Sequence, residues 1–180
     1  MRDLAAALAD EFGPGWRTGD AAGEAAVAAF EAANGVSLPA QYRTFVAATA
    51  NGAIGPPHYG LVPLGERAGA GSDHLVRPGS LAQPFPLTGS WVWEGAVDLG
   101  DPETIERLRQ VHECGTLPLG TDGDGTDHVL VVTGDARGQV WLLTGEGAGP
   151  VARDFESWIL GDYLPEAEWM LDSRPKPQAP

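Results

Sequence analysis

"GTLPLGTDGDGTDHVLVVTGDARGQVWLLT", residues 115–144, decides the fold class. His128–Thr133 and Gln139–Thr144 are apolar at nearly every position and rich in Val, Leu and Trp. Runs of this kind, apolar on both faces, read as central strands rather than edges. Gly134 to Gly138 supplies the turn between them. A short strand precedes them, joined through the acid-glycine turn Asp122-Gly123-Asp124-Gly125. Strands joined by such short turns pair antiparallel.

Working outward, "SWVWEGAVDLG", residues 90–100, alternates well enough to be another strand. Asp101-Pro102-Glu103 then reads as a helix start, with Ile105 and Leu108 as its apolar positions. Beyond the sheet, Asp154 can cap a helix that presents Phe155, Trp158, Ile159 and Tyr163 to the core. On the N-terminal side, residues 21–33 suit a helix anchored by Val27 and Phe30 and stopped at Asn34-Gly35. Pro39 then opens a second helix, whose Tyr42, Phe45, Val46 and Thr49 fall on one stripe. A further short helix is expected over residues 2–12, and residues 65–90 read as loop. "NGAIGPPHYGLVPL", residues 51–64, packs Gly52, Gly55 and Gly60 among three prolines. Glycines permit tight turns and prolines fix them, so the stretch reads as a joint between helices and sheet.

Helices, then a sheet, then a closing helix make an α+β domain: N-terminal helices packed on a central, mostly antiparallel sheet. A single domain is expected over residues 1–172, with 173–180 as a disordered tail.

The chain of 180 residues carries a formal charge of -14, from 11 Lys and Arg against 25 Asp and Glu. The charge is uneven, for residues 91–180 hold 17 of the acids and 6 of the bases. Nucleic acid is thereby disfavoured as a direct partner, since its binding depends on neutralising phosphates. An anionic membrane is disfavoured for the same reason. A basic protein surface is the partner that such a field steers in. Cys114 is the only cysteine, and no segment is apolar enough for a membrane span or signal core, so a cytoplasmic setting is expected.

Chemistry-bearing motifs are sparse. There is no G-x-S-x-G elbow, P-loop or G-x-G-x-x-G fingerprint. Ser72, Asp73 and His74 are neighbours in sequence, which does not make a triad. His112 and Cys114 form an H-x-C pair without a second pair at zinc spacing. His58 and His128 stand alone. Asp122, Asp124 and Asp127 could offer oxygens to calcium, but the spacing fails the EF-hand pattern, and a tight turn is the better reading. No catalytic, cofactor-binding or metal residue is therefore assigned.

Among the tryptophans, Trp141 and Trp158 hold core-like positions, and Trp169 suits a cover for the sheet edge. Trp91 and Trp93, two apart on one strand face, read as core or as aromatic anchors of an interface.

The ordered set Phe30-Glu31, Gly35, Leu38-Pro39, Tyr42-Arg43, Phe45, Asn51-Gly52 and Gly55 through Leu61 resembles the SUKH superfamily, which includes the Smi/Knr cell-wall regulators of fungi. Gly115-Thr116-Leu117, Gly123 to Gly125, Gly138 to Trp141 and Phe155 to Leu160 look similar too. The likeness runs from about residue 25 to 164, loosely over 65–110. It implies an α+β domain that is usually not an enzyme, and it supplies no catalytic set. Most bacterial members are regarded as immunity proteins that bind and neutralise toxins, often nucleases; others are regulatory. The leading expectation is thus an immunity protein for a cognate toxin with a basic surface, contacted through Asp98, Asp101, Glu103, Asp122, Asp124 and Asp127, with Trp91 or Trp93 as anchors. A regulatory or scaffolding module is the alternative. A hydrolase or metal enzyme using His112, Cys114 or the 122–127 acids is a third.

Overall fold

A computed structural model describes residues 17–55, 60–69, 77–95 and 100–166. The expected helix at 2–12, His58, Ser72 to His74, Asp98, Trp169 and the tail lie outside the described residues.

The two apolar runs are the middle of a five-stranded antiparallel sheet. In chain order the elements are β1 (Arg17–Thr18), α1 (Glu24–Asn34), α2 (Ala40–Ala48), β2 (Ala53–Ile54), β3 (Trp91–Val92), α3 (Pro102–Glu113), β4 (Thr116–Thr121), β5 (Asp127–Val131), β6 (Val140–Leu143), β7 (Gly147–Ala152) and α4 (Phe155–Trp158), which continues as a π-helical turn over Ile159–Tyr163. The large sheet runs β3-β7-β6-β5-β4, so β5 and β6 are interior, as their composition requires. β1 and β2 form a separate two-stranded ribbon.

Alternation along β5 sends Leu130 to one face of the sheet and Val129 and Val131 to the other. On the first face α1, α2 and α4 pack Val27, Tyr42, Phe45, Phe155 and Trp158 against Leu117, Leu119, Leu130 and Val140. On the second, Phe85, Leu87, Trp93 and Val111 of α3 cover Val129, Val131, Trp141 and Leu143. Two buried faces explain why β5 and β6 carry no polar alternation. On α3, Leu108 and Val111 take the inward stripe while Ile105 is 51% exposed, a correction to its expected core role.

Local chemistry sets the helix ends. Gly35 ends α1 in the left-handed region, φ 66°, donating its N–H to the Glu31 carbonyl. Glu31 then ties the next segment down: its Oε1 accepts from the Leu38 N–H at 2.8 Å and its Oε2 from Arg43 Nε at 3.2 Å. Arg43 also reaches Glu24 at 2.8 Å. Pro39 proves to be the residue just before α2 rather than its first. Asp101 caps α3, accepting from the N–H groups of Glu103 and Thr104, and Asp154 caps α4, accepting from that of Ser157.

The described residues of the glycine-proline stretch, 51–55 and 60–64, link α2 to the sheet. Ala53 and Leu61 exchange backbone hydrogen bonds, and the Val62 N–H donates to the Leu119 carbonyl of β4 at 2.8 Å. Gly60, at φ 109°, sits where any Cβ would land on the Ala53 carbonyl oxygen. Asn51 Oδ1 accepts from the Leu64 N–H at 2.7 Å and closes the loop.

Candidate functional site: an acidic rim on the sheet

The register brings the loops of three strand connections to one end of the sheet. Thr121 pairs with Asp127, Asp127 with Leu143, Leu143 with Ala148, and Ala148 with Trp91. Just past this row lie the β4–β5 turn with Asp122 and Asp124, the β6–β7 turn with Glu146, and Glu94 after β3. All four carboxylate side chains belong to exposed residues. The N–H groups of Trp93 and Glu94 both donate to the Glu146 carbonyl, at 2.9 and 3.1 Å, which holds Glu94 beside the β6–β7 turn. At about 4.8 Å per strand, the row from β4 to β3 extends over roughly 19 Å.

Each turn is shaped from within. Asp122 Oδ1 accepts from the Asp124 N–H at 3.0 Å, and Thr121 Oγ1 accepts from the Gly123 N–H at 3.2 Å. Thr144 Oγ1 accepts from the N–H groups of Glu146 and Gly147. These are the short polar bonds that make Asp, Thr and Gly turn formers, and they leave the Asp124 and Glu146 carboxylates pointing to solvent.

The expected contact residues separate on this frame. Asp122 and Asp124 lie on the rim. Asp127, by contrast, is fully buried at the start of β5, so it is corrected to an interior residue. Its alternation parity with Val129 and Val131 turns it inward. Trp93 takes the core alternative rather than the anchor one: it is 7% exposed, within the second core, and donates its Nε1–H to the Gly145 carbonyl at 2.7 Å. Trp91 is half-buried, edge-on to Trp93 at 5.3 Å, and carries the Arg107 guanidinium 4.5 Å above its ring.

Asp101 and Glu103 sit on the first turn of α3 rather than on the rim. Asp101 is engaged as the cap: its bonds from the Thr104 hydroxyl and N–H hold its carboxyl below the ordinary aspartate range. Farther along α3, Arg109 holds Glu106 down to about 2 and also reaches the buried Glu113 at 2.6 Å. Arg77 meets the other oxygen of Glu113 at 3.0 Å, tying the 77–83 segment to the helix.

Glu94 and Glu146 escaped the sequence reading. Their signal depended on β7, whose "GAGPVA" has low strand propensity and contains Pro150. The Cys114 thiol is buried and donates to Gln83 Oε1 at 3.4 Å; burial pushes its pKa up and keeps it protonated. Among the described residues no three His, Cys, Asp or Glu side chains gather as a metal-ligand set. No helix among them is long and apolar enough to cross a membrane.

An antiparallel sheet with helices on both faces and an acidic rim of turns defines an α+β domain. A family model described as the SMI1 / KNR4 family (SUKH-1) matches residues 21–161, and the chain belongs to that family. Comparison with curated proteins and with solved structures returned no match.

Proposed function

We propose that this chain is a protein-binding domain that acts as an immunity protein, capturing a cognate bacterial toxin through the acidic rim. Membership of the SUKH family supports the class, since that family includes immunity proteins. The observation that carries the reading is the register-aligned row Asp122, Asp124, Glu146 and Glu94 at one end of a sheet. A toxin that acts on nucleic acid must present a basic channel, and a row of carboxylates spaced over roughly 19 Å can occupy it in place of phosphates. The net charge of -14 adds long-range steering, which raises the association rate more than the final affinity. The cytoplasm is where such an inhibitor must meet its toxin.

The test is calorimetry with the toxin domain encoded nearest to this gene, at low and high salt. The wild-type chain binds tightly at low salt and more weakly at high salt. The triple variant Asp122→Lys, Asp124→Lys, Glu146→Lys binds about 10-fold or more weakly, at roughly 0.5 kcal/mol or more per reversed surface charge. Salt-independent binding equal in both proteins removes the rim from the interface. Absence of binding moves the assignment to a regulatory module with a housekeeping partner.

A further inference from the structure

Six of the eight described arginines already hold a partner. Arg43, Arg77, Arg109 and Arg153 meet carboxylates, Arg137 donates to the Ser37 carbonyl, and Arg107 lies over Trp91. Arg17 and Arg67 are the two whose side chains make no ion pair or hydrogen bond with a described residue, and both are exposed. They line the same groove, of about 590 Å³, between the β1–β2 ribbon and the segment 60–69. In a chain this acidic, two guanidinium groups without a side-chain partner among the described residues, set against the single carboxylate of Glu66, make the described lining of this groove locally positive.

The rest of the lining mixes apolar residues and glycines with the polar side chains of Thr18, Asn51, Glu66 and Thr121. Ile54, at 65% the most exposed large hydrophobic side chain among the described residues, lines the groove together with Leu61 and Pro63. Its floor is rigid, because Ala53 and Leu61 exchange backbone hydrogen bonds across it. Among the described residues that line it, Glu66 is the one carboxylate. Thr121 also lines the groove and begins the acidic β4–β5 turn, so the groove and the rim adjoin.

We propose that this groove docks a short extended segment of the partner protein in which an Asp or Glu lies beside an apolar side chain. The guanidinium forks of Arg17 and Arg67 receive the carboxylate, a pairing that Arg makes in bidentate geometry and Lys does not. Ile54 and Pro63 receive the apolar neighbour. That the segment belongs to a toxin rests on the preceding reading; the chemistry of the groove does not. The partner is therefore two-signed: a basic surface against the rim and an acidic projection beside it. Such a pair of opposite contacts fixes register, which a single charged patch leaves loose.

The probe is the peptide acetyl-Leu-Asp-Leu-Glu-amide, titrated into the 15N-labelled full chain at 0.15 M salt, with acetyl-Leu-Asn-Leu-Gln-amide as control. The acidic peptide shifts the amide signals of Gly52, Ile54 and Gly69 with a Kd on the order of 1 mM. The amide peptide binds at least several-fold more weakly. Arg17→Ala/Arg67→Ala abolishes the preference, and Arg17→Lys/Arg67→Lys keeps only part of it. Equal shifts with both peptides, no shifts at the groove, or an undiminished preference in the alanine variant each overturn the proposal. Failure of the wild-type chain to bind any toxin would sink the immunity reading alone, because the peptide titration needs no toxin.

Discussion

Replacing Gly115 by alanine separates two costs that usually travel together. Gly115 has φ 66°, the same value as Gly35 at the end of α1. An L side chain in this left-handed region costs roughly 1–2 kcal/mol at either position. At Gly35 a new Cβ meets nothing within 4 Å, so that cost stands alone. At Gly115 it would lie 2.5 Å from Phe85 N, 2.6 Å from Thr133 O and 2.7 Å from Gln83 O. All three are backbone atoms, and the first two are already joined by the Phe85 N–H to Thr133 O bond of 2.7 Å. No side-chain rotation relieves the clash, so the strand and the 83–85 segment must part, at about 1–3 kcal/mol for overpacking. Gly115→Ala therefore destabilises by about 2–5 kcal/mol and Gly35→Ala by about 1–2 kcal/mol. For a chain of this size the first lowers Tm by about 10 °C. Urea denaturation followed by tryptophan fluorescence reads both, because Trp141 and Trp158 are fully buried. Equal losses in the two variants would refute the claim that backbone crowding, rather than φ alone, reserves position 115 for glycine.

Removing the Glu113 side chain leaves Arg77 and Arg109 without their shared acceptor. Both arginines are half-exposed, so Glu113→Ala costs about 1–3 kcal/mol, at the low end for a charged bond facing water, measured as a shift in urea midpoint. Glu106 gives a pH dependence with a fixed sign. Its folded pKa, held at about 2 chiefly by hydrogen bonds from Arg109 and Gln110, is below the unfolded value. The ion pair thus stabilises the fold at neutral pH and loses that contribution as pH falls from about 4.5 toward 2. Glu106→Gln is accordingly less stable than wild type at pH 7, and the gap closes by pH 2; a gap unchanged over that range would refute the assignment.

The parts of the fold legible in the sequence are those whose signal is local. Asp101-Pro102 and Asp154 announce helix starts because a cap is decided within one turn. The runs 128–133 and 139–144 announce interior strands because burial on both faces leaves no polar alternation between their ends. β7 stayed hidden, since Gly147–Ala152 becomes a strand only through its pairing with β6 and the short contact with Trp91 and Val92. The same gap concealed Glu94 and Glu146. Composition could count acids but not align them, and alignment comes from a strand order that no local pattern encodes. Asp127 shows the converse: it sits three residues from Asp124 in an acidic run, yet a single step of strand parity sends it to the interior.

The sheet that both layers share also sets a schedule for the chain as it is made. Phe45 of α2 packs against Phe155 of α4, ring centroids 5.1 Å apart, with about 110 residues between them. At a synthesis rate of about 5–20 residues per second, α1 and α2 emerge roughly 5–20 s before the surface that covers them exists. Until Phe155 to Tyr163 emerge, their apolar stripe, Val27, Tyr42, Phe45 and Val46, lacks its complete native cover. β4 to β7, joined by short turns, can close as soon as they are out. The last segment to arrive, Phe155–Tyr163, is the one that seals the first-made helices, so a ribosome-bound chain truncated before residue 155 holds a sheet but an unfinished first core.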